Sequence, residues 1–180
     1  AKAAERGFRS PALLLERTAW GRSNERAMVA AINRAELRLA RVGWFNRGVQ
    51  SLAADLDQLV ASGADAVLLN PGAARKYEEE MKGIGLIMRT DLPPSLMTSG
   101  VHASRKTYGV DQALAMAADA VIVNGGTGMG VEEITLDAIA ETVNECEPWN
   151  MPVIGEVVPG GFDSPKDLRT VTNLAANARI

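Results

Sequence analysis

Seven polar side chains lie within apolar segments of the sequence or directly after them, where a hydrophobic core alone would not need them. They are Asn46, Arg47, Asn70, Arg89, Asp91, Asn124 and Glu156. Amide, guanidinium and carboxylate groups in such places can bind and orient a polar substrate. Glu156 interrupts an apolar stretch, so it either faces a site or pairs with a nearby cation. If it is unpaired, its pKa is expected to be raised, which suits proton transfer at neutral pH.

Some candidate residues also have a purely structural interpretation. Asn70 and Asn124 come shortly before glycines, and an asparagine there often caps a turn through its own side chain, so both interpretations stay open. His102, the only histidine, lies in a polar loop from Pro93 to Tyr108, where a histidine is more often solvent-exposed than catalytic. The glycine run 125–130 would let backbone N–H groups approach a phosphate, although we favour a flexible loop.

A repeated segment indicates which elements position these side chains. Residues 64–72 read Ala-Asp-Ala, a short apolar run, and Asn before a glycine turn, and residues 118–126 follow the same order. A run without polar alternation predicts a strand buried on both faces, as in a parallel sheet covered by helices. In a parallel barrel the working residues gather at the C-terminal ends of the strands, where most of the candidates stand.

The remaining apolar patterns predict strands that alternate with helices. The strands are expected at 42–45, 64–69, 84–89, 119–123 and 153–158. Gly63 is expected to end one helix in a left-handed conformation, and Ser164-Pro165 to begin the last helix. Cys146 continues an apolar helical stripe and is predicted to be a small core residue.

The chain is predicted to contain two parts. Residues 1–41 are expected to form a helical segment, in which Ser10-Pro11 begins a short helix and Ser23 a longer one. Residues 42–180 are expected to form the parallel α/β part.

The composition argues against several classes of protein. Of the 180 residues 47% are hydrophobic and only 4% aromatic, and the formal net charge is −3. Lysines and arginines are spread along the chain, so neither nucleic acid nor a membrane is an expected partner. The single cysteine and the lack of long apolar runs predict a cytoplasmic protein. No spacing indicates a metal site, and no cofactor is expected.

Most of the chain, from Ser51 to Ile180, resembles the archaeal-type class I fructose-bisphosphate aldolase family. The order and spacing of short matching segments carry the resemblance: 62–69, 85–89, 110–114, 118–121 and 150–154. It implies a (β/α)8 TIM barrel, of which this chain would cover about the first five β/α units. It also implies a homo-oligomeric lyase in which a lysine forms a Schiff base with a sugar phosphate or related keto substrate.

The sequence departs from this family at its catalytic positions. Asn46-Arg47-Gly48 stands where the family has Asp-His-Gly, so Asn46 replaces the expected carboxylate. Val158 stands where many members have a proton-donating tyrosine. The family's lysine lies on the sixth strand, which would follow residue 180. The lysines present are expected on helices or loops, where they stay protonated: Lys2, Lys76, Lys82, Lys106 and Lys166. Asn46 and Glu156 are therefore the catalytic candidates, and the other five residues are candidates for substrate binding.

Three hypotheses about function stay open at this point. We favour a fragment of a Schiff-base aldolase, because a five-stranded parallel sheet on its own would leave two unpaired edges. In that case Glu156 takes the proton-transfer role. The alternative is a non-catalytic barrel subunit or scaffold that has lost aldolase activity. A weaker third hypothesis is another phosphate-binding barrel enzyme, such as a synthase or isomerase.

Overall fold

The structure is a computed structural model that describes residues 10–17, 19–45, 51–92, 103–161 and 164–179. The strands are β1 (Ala12–Glu16), β2 (Arg41–Phe45), β3 (Ala66–Leu69), β4 (Gly85–Arg89), β5 (Asp91–Leu92), β6 (Arg105–Lys106), β7 (Ala120–Gly125) and β8 (Val153–Val157). The α-helices are α1 (Ala19–Arg34), α2 (Ala53–Ala61), α3 (Pro71–Lys76), α4 (Val110–Ala115), α5 (Glu132–Cys146) and α6 (Val171–Asn177). Short 3-10 helices span Glu147–Trp149 and Lys166–Leu168. No helix in these ranges is long and apolar enough to cross a membrane.

The chain divides into two compact units, residues 1–68 with 72–86, and residues 69–71 with 87–180. In the first unit, β1 and β2 form a parallel pair with α1 between them in sequence. Leu56 and Leu59 of α2 are buried, and Gly63 follows that helix with a φ of +73°. The predicted left-handed position of Gly63 is confirmed, because only a residue without a Cβ adopts this φ readily.

The N-terminal part contains a strand that the sequence interpretation missed. Residues 12–16 follow Ser10-Pro11, where a short helix was expected, but they form β1. That prediction was wrong because the apolar side chains of this segment gain burial through parallel pairing, and Leu15 is only 6% exposed. The longer predicted helix is present as α1. The division of the chain at residue 41 stays a prediction.

The second unit is built on a parallel sheet. Strand β7 lies between β4 and β8, with Met88 opposite Val121 and Val121 opposite Val153. Val121 and Val123 are fully buried, and α5 packs on β7. All six residues of β7 are buried, as expected for an interior strand of a parallel sheet with helices on its face.

The five predicted strands are all present, as β2, β3, β4, β7 and β8. The pairings β4–β7 and β7–β8 are parallel, as predicted. The pair β5–β6 is antiparallel and was not predicted, since each strand has only two residues. In the first unit, the Gly85 N–H donates to the Asp65 carbonyl at 2.9 Å.

The last helix begins later than predicted. Ser164-Pro165 precedes a 3-10 turn, and α6 begins at Val171 with Thr170 as its N-cap, which accepts a hydrogen bond from the Asn173 N–H at 3.1 Å. Val171, the first residue of the helix, is 84% exposed. Asn177 is the buried residue of this helix, since its amide bonds to the β7 loop.

Candidate active site

The ends of β4, β7 and β8 bring four predicted site residues together. Arg89 pairs in register with Ile122 of β7, and Asn124 pairs with Glu156 of β8. Because side chains alternate along a strand, Arg89, Asn124 and Glu156 share one face of the sheet. Residue 125 lies on the opposite face, where a Cβ added to Gly125 would collide with the Ile139 side chain of α5. The candidate residues therefore lie on the face away from α5, at the C-terminal ends of their strands.

Arg89 is shared between two carboxylates. Its Nη2 forms an ion pair with Glu156 Oε2, and its Nη1 lies 3.8 Å from Asp91 Oδ2. The side chain of Arg89 is only 15% exposed, so both interactions take place with little water around them. The planar guanidinium can orient both acids at once. We call Arg89, Asp91, Asn124 and Glu156 the strand-end cluster.

Asp91 is the most deeply buried member of the strand-end cluster, at 1% exposure. Its Oδ1 accepts a hydrogen bond from the Asn124 backbone N–H at 3.0 Å. Its Oδ2 has no hydrogen-bond donor among the described residues. A buried acceptor without a donor costs about 1–3 kcal/mol. The Arg89 guanidinium at 3.8 Å offsets part of this cost, because its charge attracts the carboxylate.

The environment of Glu156 makes it suited to proton transfer. Burial raises the pKa of Glu156, the Arg89 guanidinium lowers it, and the nearby Asp91 carboxylate raises it. Burial prevails, and the pKa is raised above its ordinary value. Glu156 keeps 32% side-chain exposure, so a substrate can still reach it. A carboxyl group that binds its proton more tightly than usual is a better proton donor at a given pH than one that is always ionised.

Asn124 connects two members of the strand-end cluster. Its side-chain Nδ2 donates to the Glu156 backbone carbonyl at 2.9 Å, while its backbone N–H donates to Asp91. The residue is 2% exposed. The sequence left substrate binding and a turn cap open for Asn124, and the structure shows its amide bonded to the neighbouring strand.

Thr90 supports the cluster and was missed by the sequence interpretation. It is 1% exposed, and its Oγ1 donates to the Ile122 carbonyl at 3.1 Å. Its own carbonyl accepts hydrogen bonds from the backbone N–H groups of Thr107 and Tyr108, each at 2.9 Å. The available signal was a polar residue between two candidates, Arg89 and Asp91. Thr90 thus holds the chain that carries both charges.

The other candidates are placed as follows. Asn70 is exposed and stands directly after β3, before α3. Asn46, Arg47 and His102 lie outside the described residues.

The glycine loop after β7 is held by side chains of two helices. The Gly126 N–H donates to Thr135 Oγ1 of α5 at 3.2 Å, and the Thr127 N–H donates to Asn177 Oδ1 of α6 at 2.6 Å. A Cβ on Gly126 would collide with the Val158 carbonyl. The N–H groups of Gly126 and Thr127 therefore already have acceptors within the protein. Phosphate binding by this loop stays a hypothesis, and the N–H groups of residues 128–130 would have to bind the phosphate.

Two other sequence predictions concern single side chains. Cys146 is 1% exposed, so its predicted core position is confirmed, and burial raises the pKa of its thiol. Lys106 was predicted on a helix or loop, but it lies on β6, with Glu145 Oε1 at 2.5 Å and Glu141 Oε1 at 2.9 Å. Burial lowers the pKa of Lys106, but the two glutamates together outweigh burial and raise it. Lys106 is thus a protonated partner in ion pairs.

The parallel α/β fold is similar to that of solved barrel proteins. An archaeal fructose-1,6-bisphosphate aldolase, solved with its catalytic Lys bound to the carbinolamine intermediate, matches with a TM-score of 0.63 and 18% identity. The match covers 98% of this chain and 61% of that chain. A second archaeal fructose 1,6-bisphosphate aldolase matches with a TM-score of 0.61, 21% identity and the same coverage. The predicted fold, that of the (β/α)8 barrel aldolases, is confirmed.

Residues 23–178 match the DeoC/LacD family of aldolases, and the chain belongs to this family. A 2-amino-4,5-dihydroxy-6-oxo-7-(phosphonooxy)heptanoate synthase of Streptomyces griseus is 31% identical over 131 residues, which are 67% of this chain and 46% of the relative. A 2-amino-3,7-dideoxy-D-threo-hept-6-ulosonate synthase of Halobacterium salinarum is 27% identical over 107 residues, covering 59% and 40%. The chain thus spans less than half the length of these two relatives.

Proposed function

We propose that the complete polypeptide is a Schiff-base aldolase that forms or breaks a carbon–carbon bond next to a ketone in a phosphorylated substrate. The observation that carries the proposal is the Glu156–Arg89–Asp91 arrangement at the strand ends of a DeoC/LacD family barrel. The scaffold alternative is less favoured, because a half-buried acid with a raised pKa next to a buried carboxylate is costly for a protein with only a structural role.

The chemistry requires a neutral amine and a proton carrier. A lysine amine adds to the ketone and water leaves, and the resulting iminium accepts the electrons of the breaking carbon–carbon bond. The carbanion equivalent then takes a proton. Glu156 is the proposed carrier of that proton, since Val158 occupies the position of the family's tyrosine and has no titratable group.

The amine must come from a lysine outside the described residues. Lys76 lies on α3, Lys82 lies in a turn, and Lys166 lies in a 3-10 helix. Lys106 is held by Glu141 and Glu145, and Glu79 raises the pKa of Lys82. None of these four lies on the strand face of the cluster. The chain covers 61% of a solved barrel aldolase, so we propose that the lysine belongs to the remaining part of the barrel.

The substrate class follows from the relatives and the cluster. The names of both relatives describe compounds with a keto group, and the name of the Streptomyces griseus relative also includes a phosphonooxy group. We propose a phosphorylated ketone donor and an aldehyde acceptor, with Arg89, whose side chain is 15% exposed, as a contact of the substrate. Asp91 is buried, and we propose that it acts by orienting Arg89. Asn46, Arg47 and Asn70 are proposed as further contacts. A cytoplasmic location and a homo-oligomeric assembly are proposed on the same family basis.

Borohydride trapping tests the proposal. The complete polypeptide is incubated with dihydroxyacetone phosphate, reduced, and digested for mass spectrometry. We expect one adduct, on a lysine outside residues 1–180, and none on Lys76, Lys82, Lys106 or Lys166. Failure to trap any phosphorylated ketose would contradict the aldolase proposal and favour a scaffold.

The Glu156→Gln variant tests the proton carrier separately. Turnover is expected to fall on the order of a hundredfold or more, while the trapped adduct remains, because imine formation and proton transfer are different steps. Glu133→Gln, at an exposed position on α5, is the matched control and should retain full activity. Full activity of Glu156→Gln would return Glu156 to a structural role.

A further inference from the structure

Asn124 donates two hydrogen bonds, one from its backbone and one from its side chain, to two different segments. Its backbone N–H reaches Asp91 Oδ1 at 3.0 Å, and its side-chain Nδ2 reaches the Glu156 carbonyl at 2.9 Å. The acceptors belong to two different segments, one following β4 and one on β8. One residue of the central strand thus contacts both acids of the strand-end cluster.

Burial restricts what the Asn124 amide can do. The residue is 2% exposed, and Val123 beside it is fully buried. A side chain so enclosed, with its N–H already donated to protein, offers little to a substrate. A turn cap does not account for the contact either, because a capping asparagine bonds to its own segment and this amide bonds to a residue 32 positions away.

We infer that Asn124 is a positioning residue, which fixes the β8 backbone at Glu156 so that the Glu156 carboxyl stays beside Arg89. The inference rests on the proposed function of Glu156 as proton carrier. Arg89 and Asp91 are the charged groups that the described residues place around Glu156. A displacement of about 1 Å in a catalytic group can cost on the order of a hundredfold in rate, so one lost bond to its backbone is enough to matter.

The variant Asn124→Leu keeps the backbone N–H to Asp91 and removes only the side-chain bond to Glu156. We expect kcat to fall about tenfold to a hundredfold with KM changed less than about threefold, because ground-state binding is retained. Asn144→Leu, at an exposed position on α5, is the matched control and should keep both constants. Asn124→Ser, smaller and polar, serves as a second variant if the leucine does not fold.

A readout independent of activity separates this inference from the proposed function. In protein labelled with 13C at glutamate carboxyl groups, the Glu156 pKa is measured by NMR in the parent and in folded variants. We expect an upward shift in Asn124→Leu and Asn124→Ser, because the Arg89 guanidinium no longer stays beside Glu156 to lower the pKa. An unchanged Glu156 titration in a folded variant overturns the inference. A shifted titration in a protein without aldolase activity would support the positioning role and refute the proposed function instead.

Discussion

The surroundings of Glu156 carry a cost in stability that its proposed function would explain. Glu156 is half-buried and forms an ion pair with Arg89, yet burial still raises its pKa. Asp91, at 1% exposure, shares the same guanidinium and prevents it from compensating Glu156 fully. A structural protein would gain by replacing such a residue, whereas an acid–base catalyst needs it.

The raised pKa of Glu156 predicts how stability depends on pH. A carboxyl group with a higher pKa in the folded state than in the unfolded state holds its proton more tightly when folded. The free energy of unfolding therefore falls as the pH rises from the unfolded pKa through the folded one. Glu156→Gln removes this titration, and Arg89 keeps Asp91 as a partner at 3.8 Å. We expect the variant to be more stable than the parent at pH 7, with the advantage shrinking as the pH falls through the raised pKa and lost below the ordinary glutamate pKa of 4.5.

Urea unfolding at a series of pH values measures this difference. Glu133→Gln, the exposed control, should show no pH-dependent advantage. If the stability difference between Glu156→Gln and the parent does not grow as the pH rises, folding does not raise the pKa of Glu156 and the explanation is wrong.

At the scale of elements, the loop after β7 depends on contacts from helices that follow it in sequence. Thr135 Oγ1 of α5 donates a hydrogen bond to the Gly126 carbonyl at 2.9 Å and accepts one from the Gly126 N–H at 3.2 Å. Asn177 of α6 accepts from both the backbone N–H and the hydroxyl of Thr127. The loop is thus held at two consecutive residues.

Replacement of Thr135 by valine tests this support. Thr135 is 1% exposed, and valine has nearly the same shape, so only the hydroxyl is lost. The Gly126 N–H would then be buried without its acceptor, which costs about 1–3 kcal/mol of unfolding free energy. Thr172→Val on exposed α6 is the control and should change stability by less than about 0.5 kcal/mol. Equal stability of the two variants in thermal and urea unfolding would contradict the proposed support.

The elements differ in how far the sequence could predict them. Strands β3 and β7 were predictable because their apolar runs have no polar alternation and end at a turn. Strand β8 was predictable although Glu156 interrupts its apolar run. Strand β1 was missed because Ser10-Pro11 is also a helix-start signal, and only pairing with β2 decides between the two. The start of α6 was misplaced because two residue pairs, 164–165 and 170–171, offer competing starts.

The members of the candidate site were predictable, but their pairings were not. Polar residues at strand ends are visible in the sequence, and four of them meet in the structure. The contact of Arg89 with Glu156 spans 67 positions and requires the register of β4, β7 and β8. The role of Asn124 depends on the same register, since its amide meets the residue directly opposite it. Tertiary pairing, which no local pattern encodes, therefore decides the chemistry.

At the scale of the whole molecule, the second unit has its most protected strand at its centre. Strand β7 is hydrogen-bonded on both sides and all six of its residues are buried, while Ile154 of β8 is 38% exposed. We expect the amides of Val121 and Val123 to exchange with deuterium at least about tenfold more slowly than those of β8. Hydrogen-exchange mass spectrometry measures this. Equal exchange rates in β7 and β8 would show that the two strands open together and would contradict this prediction.

The burial of β7 has a consequence for how long the strand-end cluster keeps its shape. Asn124 is carried by the strand expected to open last, while Glu156 lies opposite it on β8, and the amide contact adds to the strand pairing between them. When β8 detaches briefly, Asp91 stays bonded to the Asn124 N–H and keeps its place. The returning strand then meets the Asn124 Nδ2 donor for its Glu156 carbonyl already in place. Recovery of the intact cluster is therefore limited by the re-docking of a single strand and does not require the site to refold.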